Sequence, residues 1–379
     1  MTREEVNDLA LSKIDNTKYM ILELITGYGK TKVAIDLINH ICDRVFRNDE
    51  CPTTILILVA KTVHKQTWKD EIKKWGGIKS DYITIECYES LKNYENSYFD
   101  VVVADEMQHL SEARMEVLES IHVDEAFIGL SATIKRYMRD YFIHNHKAEV
   151  IKCSLKDAVE DEVLPEPMVY LLPLSLDTIN CTYKIKRFGR DIITTQKGYY
   201  NSISSLIEWY KNKYLNSRNE RMKNLWLSTA GKRLKWCAEQ KEALVLSLLD
   251  KFKNYKTLTF CSSIEQSERL GKYNITSKNK ASVKNLEMFN SNKIKHITAC
   301  NILNEGVNLT NCRIGIFCNL NSSEIVVKQR IGRILRHKSP IIIIPYFKDT
   351  REEELVEKMI GEYNPKFIYV IKNINNIDI

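Results

Sequence analysis

A glycine-rich stretch near the start of the chain has the composition of a phosphate-binding loop. It reads Thr-Gly-Tyr-Gly-Lys-Thr at 26–31, after an apolar run that predicts a strand and before a segment that predicts a helix. Glycines let backbone amides converge on phosphate oxygens, and the helix N-terminus adds a favourable dipole. We expect Lys30 to reach the β and γ phosphates of a nucleotide and the Thr31 hydroxyl to ligate Mg²⁺. The residues assigned to this loop are Thr26, Gly27, Gly29, Lys30 and Thr31.

An acidic pair, Asp105 and Glu106, ends another apolar run that predicts a strand. Ligands of parallel sheets bind at the carboxyl ends of the strands, so both carboxylates are expected there. We expect Asp105 to hold the metal and Glu106 to orient and deprotonate an attacking water molecule. Such a pair after a strand is common by chance, and the interpretation depends on the phosphate-binding loop.

Two arginines near the other end of the chain, Arg333 and Arg336, are three residues apart in a predicted helix and would share one face of it. Arginine suits a γ-phosphate because its planar fork bonds two oxygens and keeps its charge. The alternative is a solvated basic helix. Gly332 argues against a helix kept only for stability, because glycine costs about 1 kcal/mol there relative to alanine. We therefore expect a second domain that closes over the nucleotide.

The order of predicted elements indicates two α/β domains, which the length of 379 residues allows. Short apolar runs alternate with helical segments in the first half, as is typical of a parallel sheet. Two nearby prolines, Pro165 and Pro167, predict a linker. We place the domains at 1–165 and 166–379, with a basic helical insertion at about 177–252 in the second.

The insertion is rich in lysine, arginine and aromatic residues. Basic side chains follow phosphates, and bases stack on aromatic rings for about 1–3 kcal/mol each, so this segment predicts nucleic-acid contact through Arg233 and Lys235. The alternative is that the rings pack a small core of their own. We expect that alternative for the rings and nucleic-acid contact for the charges.

The order of these segments resembles that of superfamily 2 helicases and translocases over nearly the whole chain. The matching segments lie at 26–31, 58–62, 87–91, 105–108, 130–133, 259–263, 304–309 and 329–336. The resemblance implies two RecA-like domains, hydrolysis of ATP with Mg²⁺, and sequence-independent binding to the backbone of a nucleic acid. The segment at 304–309 is also similar to that of compact phage and bacterial DNA helicases of the UvsW type, which remodel branched DNA in replication and recombination.

By position, the resemblance assigns further residues to the nucleotide and to the nucleic acid. Gln108 stands where many relatives have histidine or aspartate, and a glutamine is still able to bridge to the arginine helix. Ser131 and Thr133 would couple hydrolysis to domain movement. The nucleotide set is Asp105, Glu106, Gln108, Gly306, Asn308, Gln329, Arg333 and Arg336. The residues that would face the phosphodiester backbone are Lys61, Thr62, Ser90, Ser262 and Thr298.

Composition sets wider limits on function. The net charge of +7 permits a polyanionic partner without requiring one. Ten scattered cysteines predict reduced thiols rather than a zinc site. No apolar run approaches the roughly 20 residues that span a bilayer, so we expect no membrane partner and a cytoplasmic protein.

Three functions remain open from the sequence. DNA is expected over RNA as the partner of a helicase, an RNA helicase is the first alternative, and a binding module with a degenerate nucleotide pocket is the second. The sequence His-Asn-His at 144–146 lacks metal-ligating spacing and a supporting acidic cluster, and we expect a surface loop there rather than a nuclease site.

Overall fold

The computed structural model describes residues 1–49, 53–187, 189–300, 309–320, 324–361 and 363–378. The chain divides into two compact units, of which the first is Met1–Pro165 and the second begins at Glu166. Each unit contains one parallel sheet, which confirms the predicted α/β fold class.

The first unit is a six-stranded sheet with helices in its connections. Its strands are β1 (Tyr19–Leu24), β2 (Ile55–Val59), β3 (Ile83–Cys87), β4 (Tyr98–Asp105), β5 (His122–Ser131) and β6 (Glu149–Cys153). Its helices are α1 (Arg3–Ile14), α2 (Lys30–Asp49), α3 (Thr62–Lys74), α4 (Glu112–Glu119), α5 (Arg136–His146) and α6 (Leu155–Glu160). The strand order is β3-β2-β4-β5-β1-β6, and every neighbouring pair is parallel.

This strand order brings three of the predicted motifs together at one edge of the first sheet. Strand β2 is buried along its whole length, as expected for an apolar strand inside a parallel sheet. The central strands β4, β5 and β1 are consecutive neighbours, and Asp105 pairs in register with Leu130 on β5. Ser131 in turn pairs with Glu23 on β1. The segments that follow these strands therefore lie side by side.

The second unit contains a seven-stranded sheet and a separate hairpin. Its strands are β7 (Met168–Leu174), β8 (Tyr183–Arg187), β9 (Arg190–Thr194), β10 (Thr257–Phe260), β11 (Asn274–Ile275), β12 (His296–Ala299), β13 (Ile314–Phe317), β14 (Ile341–Phe347) and β15 (Ile368–Val370). Its helices are α7 (Gln196–Ser217), α8 (Glu220–Glu239), α9 (Glu242–Lys251), α10 (Ile264–Leu270), α11 (Ser282–Asn290), α12 (Glu324–Ile334) and α13 (Arg351–Ile360). The sheet order is β11-β12-β10-β13-β14-β7-β15, with all neighbours parallel.

The insertion differs from the all-helical segment expected at about 177–252. Strands β8 and β9 form an antiparallel hairpin, and Gly189 has φ +77° in its turn, a value that favours glycine. Helix α9 is part of the main core, because Val245 and Leu248 pack with residues of the second sheet. The insertion therefore consists of the hairpin and the pair α7 and α8.

Most of the aromatic rings at the base of the insertion pack a small core of their own. Tyr200 and Trp236 are buried in a cluster with Phe347, and Tyr183 and Tyr199 pack against it. The Tyr183 hydroxyl also donates to Gln240 Oε1 at 2.7 Å. These rings have the structural role that was the alternative to base stacking.

Other features correct or complete the expectations from sequence. His146 is in the last turn of helix α5 rather than in a surface loop. In this position its ring stacks on that of Tyr19, with the ring centres 4.2 Å apart. Its Nε2 atom also lies 2.8 Å from Glu119 Oε1. None of the helices in the described ranges is long and apolar enough to cross a lipid bilayer.

Candidate nucleotide site and nucleic-acid contacts

The glycine-rich stretch is a loop between β1 and α2, as the sequence predicts. Gly27 and Gly29 have φ of +95° and +107°, conformations that residues with a Cβ atom rarely adopt. Helix α2 begins at Lys30, whose Nζ donates to the Leu24 carbonyl at 3.0 Å. The Thr26 hydroxyl is buried and has no hydrogen-bond partner among the described residues. An unpaired buried hydroxyl in a loop of this shape fits a bound phosphate.

The first residues of the chain hold this loop in place. Tyr28, bulkier than is usual in such loops, is 1% exposed, and its hydroxyl donates to the carbonyl of Met1 or Thr2, at 2.7 and 2.8 Å. Burial raises the pKa of the Tyr28 hydroxyl, so it remains a donor. Arg3 Nη2 donates to the Gly27 carbonyl at 3.1 Å. Sequence reasoning assigned Arg3 no role, and only its proximity in the fold reveals one.

The acidic pair lies at the carboxyl end of β4. Asp105 is the last residue of the strand, and Glu106 has the left-handed conformation φ 51°, ψ 53°. Burial and the neighbouring Glu106 charge raise the pKa of Asp105 to about 6, against the opposing effects of Trp68 and Lys30. A cation next to a desolvated carboxylate restores its charged form. The environment of Asp105 therefore fits Mg²⁺, which proteins hold through one or two carboxylates together with phosphates and water.

A chain of hydrogen bonds links the two motifs that end β4 and β5. Gln108 Nε2 donates to Glu106 Oε2 at 2.8 Å, and Ser131 Oγ donates to Gln108 Oε1 at 2.7 Å. The Thr133 carbonyl lies 2.8 Å from the same Ser131 hydroxyl, which also accepts from Thr133 N at 3.1 Å. Gln108 thus orients Glu106 within the first unit, a contact that sequence reasoning did not predict.

The arginine segment differs from the prediction in one respect. Helix α12 ends at Ile334, so Arg333 is helical and buried whereas Arg336 lies exposed in the following turn. The expectation that both arginines share one helix face is therefore wrong, because the helix stops between them. Arg330 is more deeply buried, at 1% exposure, and its Nη1 donates to Asn319 Oδ1 at 3.0 Å.

Three assigned residues cannot be placed. Gly306 and Asn308 lie outside the described residues, as does the side chain of Gln329. Their roles in the nucleotide site stay predictions.

Four of the five residues expected to contact the phosphodiester backbone are accessible to a nucleic acid. Lys61 and Thr62 are exposed at the start of α3, and Ser90 is partly exposed in a short 3-10 turn at 88–94. Ser262 is also partly exposed, and its Oγ donates to Gln266 Oε1 at 3.0 Å. The fifth residue, Thr298, is not accessible, so its assignment to the phosphodiester backbone is wrong.

Thr298 is 1% exposed, and its hydroxyl bonds to the carbonyl and the hydroxyl of Ser267, each at 2.8 Å. Its side chain is therefore unsuited to contact a strand directly. Thr298 lies within strand β12, between β10 and β11 in the sheet, and both faces of this strand are buried.

The two insertion residues assigned to nucleic acid already have protein partners. Arg233 Nη1 donates to Ser204 Oγ at 2.9 Å, and its guanidinium lies 5.5 Å from the centre of the Tyr200 ring. Lys235 Nζ lies 3.2 Å from Glu265 Oε2. Lys184 and Lys186 on the hairpin are exposed instead. The exposed positive charge of the insertion therefore includes the hairpin, which the sequence reading did not single out.

Two family models match the chain in sequence. Residues 2–136 match the model described as type III restriction enzyme, res subunit, and residues 240–338 match the helicase conserved C-terminal domain. Among curated proteins, DNA 3'-5' translocase XPB2 from Sulfurisphaera tokodaii is 21% identical over 389 residues, covering 90% of this chain and 79% of that protein. The first family match contains the phosphate-binding loop and the acidic pair, and the second contains the arginine segment at 329–336.

Solved structures share the fold at low sequence identity. A fragment of a putative HsdR subunit of a type I restriction enzyme from Vibrio vulnificus has a TM-score of 0.62 and 19% identity, covering 97% of this chain and 68% of that one. The Pyrococcus furiosus Hef helicase domain has a TM-score of 0.53 and 13% identity, covering 93% and 97% of the respective chains. S. cerevisiae Dbp5 bound to RNA and ADP BeF3 has a TM-score of 0.61 and 11% identity, covering 97% and 89%.

The two family matches indicate the same kind of protein as the sheet architecture does. The phosphate-binding loop and the acidic pair agree with this identification. The UvsW-like character suggested by the sequence is a finer distinction that these matches do not address. The chain belongs to superfamily 2 of the helicases and translocases, a family of ATP-hydrolysing enzymes.

Proposed function

We propose that this protein uses ATP to translocate on DNA and remodels or unwinds branched DNA. The observation that carries the proposal is the placement of the phosphate-binding loop, the Asp105-Glu106 pair and Ser131 at one edge of the first sheet. DNA as partner is supported by the relative named as a DNA 3'-5' translocase. The branched substrate is supported by the similarity of the 304–309 segment to UvsW-type helicases.

Different residues of the first unit would bind the phosphates, hold the metal and activate water. The amides around Gly27 and Gly29, with the Lys30 ammonium, would hold the phosphates of ATP. Thr31 and Asp105 would hold Mg²⁺, which when bound neutralises charge on the phosphates during hydrolysis. Glu106, held by Gln108, would orient water and accept its proton at a carboxylate oxygen.

The arginine segment supplies the remaining proposal about hydrolysis. We keep Arg333 and Arg336 as candidates that stabilise charge on the phosphates, because arginine forms bidentate bonds to such groups. Arg336→Ala is expected to lower turnover far more than ATP affinity, since the interaction is needed during hydrolysis rather than for binding. Equal turnover in the variant and the parent would remove Arg336 from the reaction.

The decisive experiment measures steady-state ATP hydrolysis with different nucleic acids. The panel contains single-stranded DNA, linear duplex, a fork, a four-way junction and single-stranded RNA at matched salt, because phosphate contacts weaken as salt rises. We expect DNA to stimulate turnover more than RNA, and forks or junctions more than linear duplex. Greater stimulation by RNA would favour an RNA helicase, and no turnover with any nucleic acid would favour a binding module.

Lys30→Ala is the matching variant for this assay. It should abolish hydrolysis while leaving binding to single-stranded DNA largely intact, because Lys30 is assigned to phosphates of the nucleotide. Lys156→Ala is a suitable control, since Lys156 is 69% exposed on α6 and pairs only loosely with Glu160, at 3.7 Å. Loss of DNA binding together with retained turnover in Lys30→Ala would contradict the assignment of the loop.

A further inference from the structure

Two buried aromatic side chains converge on the carboxylate residue assigned to the metal. Trp68 Nε1 donates to Asp105 Oδ2 at 2.8 Å, and the Tyr88 hydroxyl donates to the Asp105 carbonyl at 2.9 Å. Both aromatic residues are 1% exposed. One bond therefore fixes the carboxylate of Asp105 and the other fixes its main chain.

The two aromatics belong to different segments, and each segment also carries an expected nucleic-acid contact. Trp68 lies in α3, which begins at Thr62 immediately after Lys61. At 1.5 Å per residue, the helix carries Trp68 about 9 Å along its axis from Thr62. Tyr88 begins the 3-10 turn that contains Ser90. Both segments thus have an accessible polar end and a buried aromatic donor that reaches Asp105.

We propose that Trp68 and Tyr88 are positioning residues that couple nucleic-acid binding on the first unit to the placement of Asp105 at the nucleotide. The inference rests on the proposed function and names the route inside one unit by which the strand influences hydrolysis. A strand bound at Lys61, Thr62 and Ser90 would restrain α3 and the 88–94 turn. Because both donors are buried away from water, a shift of either segment moves Asp105 or breaks a buried hydrogen bond.

A purely structural role for the two rings makes a different prediction. If they only fill space, removal of the polar atom should change stability alone, with no effect on communication between the two ligands. Tyr88→Phe removes the hydroxyl and keeps the ring. Trp68→Phe removes the donor with a modest loss of volume. Trp75→Phe is a matched control, because the Trp75 indole donates to Glu71 Oε2 at 2.7 Å on the exposed part of the same segment.

The test measures coupling at equilibrium, without turnover. The dissociation constant of a non-hydrolysable ATP analogue with Mg²⁺ is determined by titration calorimetry, with and without saturating single-stranded oligothymidine. The ratio of the two constants is the coupling factor, and thermodynamic linkage requires the same factor when DNA is titrated with and without the analogue. Thermal unfolding of each variant reports whether the fold is retained.

We expect the parent to show a coupling factor of about 5 to 150, the usual range for linked sites. Tyr88→Phe should reduce this factor at least threefold, with DNA affinity in the absence of nucleotide unchanged within about twofold. Trp68→Phe should reduce it further and also raise the Mg²⁺ concentration needed for analogue binding, since its bond reaches the carboxylate itself. Trp75→Phe should keep the parent factor.

The outcomes separate this inference from the proposed function. Parent-like coupling in a folded Tyr88→Phe protein would overturn the inference even if Trp68→Phe failed to fold, while DNA-stimulated hydrolysis in the parent would leave the proposed function standing. A parent with DNA-stimulated hydrolysis but no coupling of affinities would also overturn the inference alone. A parent that neither hydrolyses ATP with DNA nor shows coupling would overturn both.

Discussion

Ser131 Oγ donates a 2.7 Å hydrogen bond to Gln108 Oε1, at the end of the amide that faces away from Glu106. The ionised Glu106 carboxylate only accepts hydrogen bonds, so Gln108 Nε2 donates to Glu106 Oε2 at 2.8 Å while Ser131 holds the opposite end of the amide. Ser131 is fully buried, at 0% exposure, so water does not compete for the contact. Ser131, the last residue of β5, therefore helps to orient the candidate general base Glu106, just after β4, through a single intervening side chain.

Ser131→Ala should lower turnover by about 10- to 100-fold, the usual cost of removing a residue that orients a group at the reaction centre. Without this bond the Gln108 amide is anchored only at its Nε2 end, so the position of Glu106 becomes less well defined. Steady-state kinetics should show a fall in kcat with the KM for ATP changed by less than about twofold. Ser111→Ala is the control, because Ser111 only caps α4 through the amide of Arg114. Parent turnover in Ser131→Ala would show that Glu106 needs no such support.

Asp105 predicts an unusual dependence of stability on pH in the protein without metal. Its pKa is about 6 in the fold and 3.8 ordinarily, so the folded state binds the proton more tightly than the unfolded state does. Folding stability from this group is thus fully present below about pH 4, falls as pH rises to about 6, and is then constant. Asp105→Asn should remove this dependence, since the amide oxygen is still able to accept from Trp68.

Urea unfolding in EDTA at pH 5 and 7.5 checks this prediction. Asp105→Asn should be more stable than the parent at pH 7.5 by roughly 1–3 kcal/mol, with a smaller difference at pH 5. Added Mg²⁺ should stabilise the parent at pH 7.5 and have little effect on the variant. A variant less stable than the parent at pH 7.5 without metal would contradict the assignment of a raised pKa.

Gly29→Ala should separate the strain in the loop from its role in binding. With φ at +107° and no atom within 4 Å of the added Cβ, the cost to stability is backbone strain, about 1–2 kcal/mol. Gly76→Ala is a matched control, because Gly76 has φ +91° and equally open surroundings. Both variants should be destabilised to a similar extent, whereas only Gly29→Ala should weaken nucleotide binding, by about tenfold or more. Equal nucleotide affinity in the two variants would exclude Gly29 from the phosphate site.

The charges of the insertion offer a further comparison. Lys184 and Lys186 are exposed on the hairpin, whereas Arg233 bonds to Ser204 and lies over Tyr200. Replacement of both lysines by glutamate should weaken DNA binding and reduce the slope of affinity against salt by about 2, if each contacts a phosphate. Arg233→Glu should mainly lower stability. Titrations at several salt concentrations and thermal unfolding distinguish the two effects, and an unchanged slope would leave the hairpin without a contact.

The sequence predicts the sheets well where local pattern decides the structure. The run Ile55–Val59 is apolar throughout and contains three β-branched residues, and it forms a fully buried strand as expected. The phosphate-binding loop is equally local, because glycine is strongly favoured at the φ values near +100° that Gly27 and Gly29 adopt. These features depend on a few consecutive residues, so a reading along the chain finds them.

Contacts between distant segments explain what the sequence does not predict. The hydrogen bond from Trp68 to Asp105 joins residues 37 positions apart, and no sequence periodicity in either segment predicts it. The hairpin of β8 and β9 is not predicted from the sequence, because three of the five residues of β8 are basic and its one isoleucine is too little to show a strand-like alternation. The resemblance assigns Thr298 to the nucleic acid, whereas both faces of its strand are buried. Burial and partner choice are properties of the fold as a whole.

The ion pair of Lys241 and Glu352 is another long-range contact, and it gives the last prediction. Lys241 is 0% exposed, and its Nζ donates to Glu352 Oε1 at 2.6 Å and to the Pro345 carbonyl at 3.2 Å. Glu352 Oε2 accepts from the amide of Phe347 at 3.1 Å. The pair therefore ties the residue before α9 to α13 and to β14.

Lys241→Met should destabilise the protein by about 3–5 kcal/mol, because it leaves the Glu352 carboxylate buried without a counter-charge. Adding Glu352→Gln should recover part of that loss, since glutamine keeps an acceptor for the Phe347 amide and brings no charge into the core. Lys156→Met, at an exposed pair with Glu160, should change stability by less than about 1 kcal/mol. Urea unfolding of the four proteins measures these differences. A double variant less stable than Lys241→Met would mean that the charge of Glu352 is satisfied by the backbone amide and that Lys241 contributes mainly by packing.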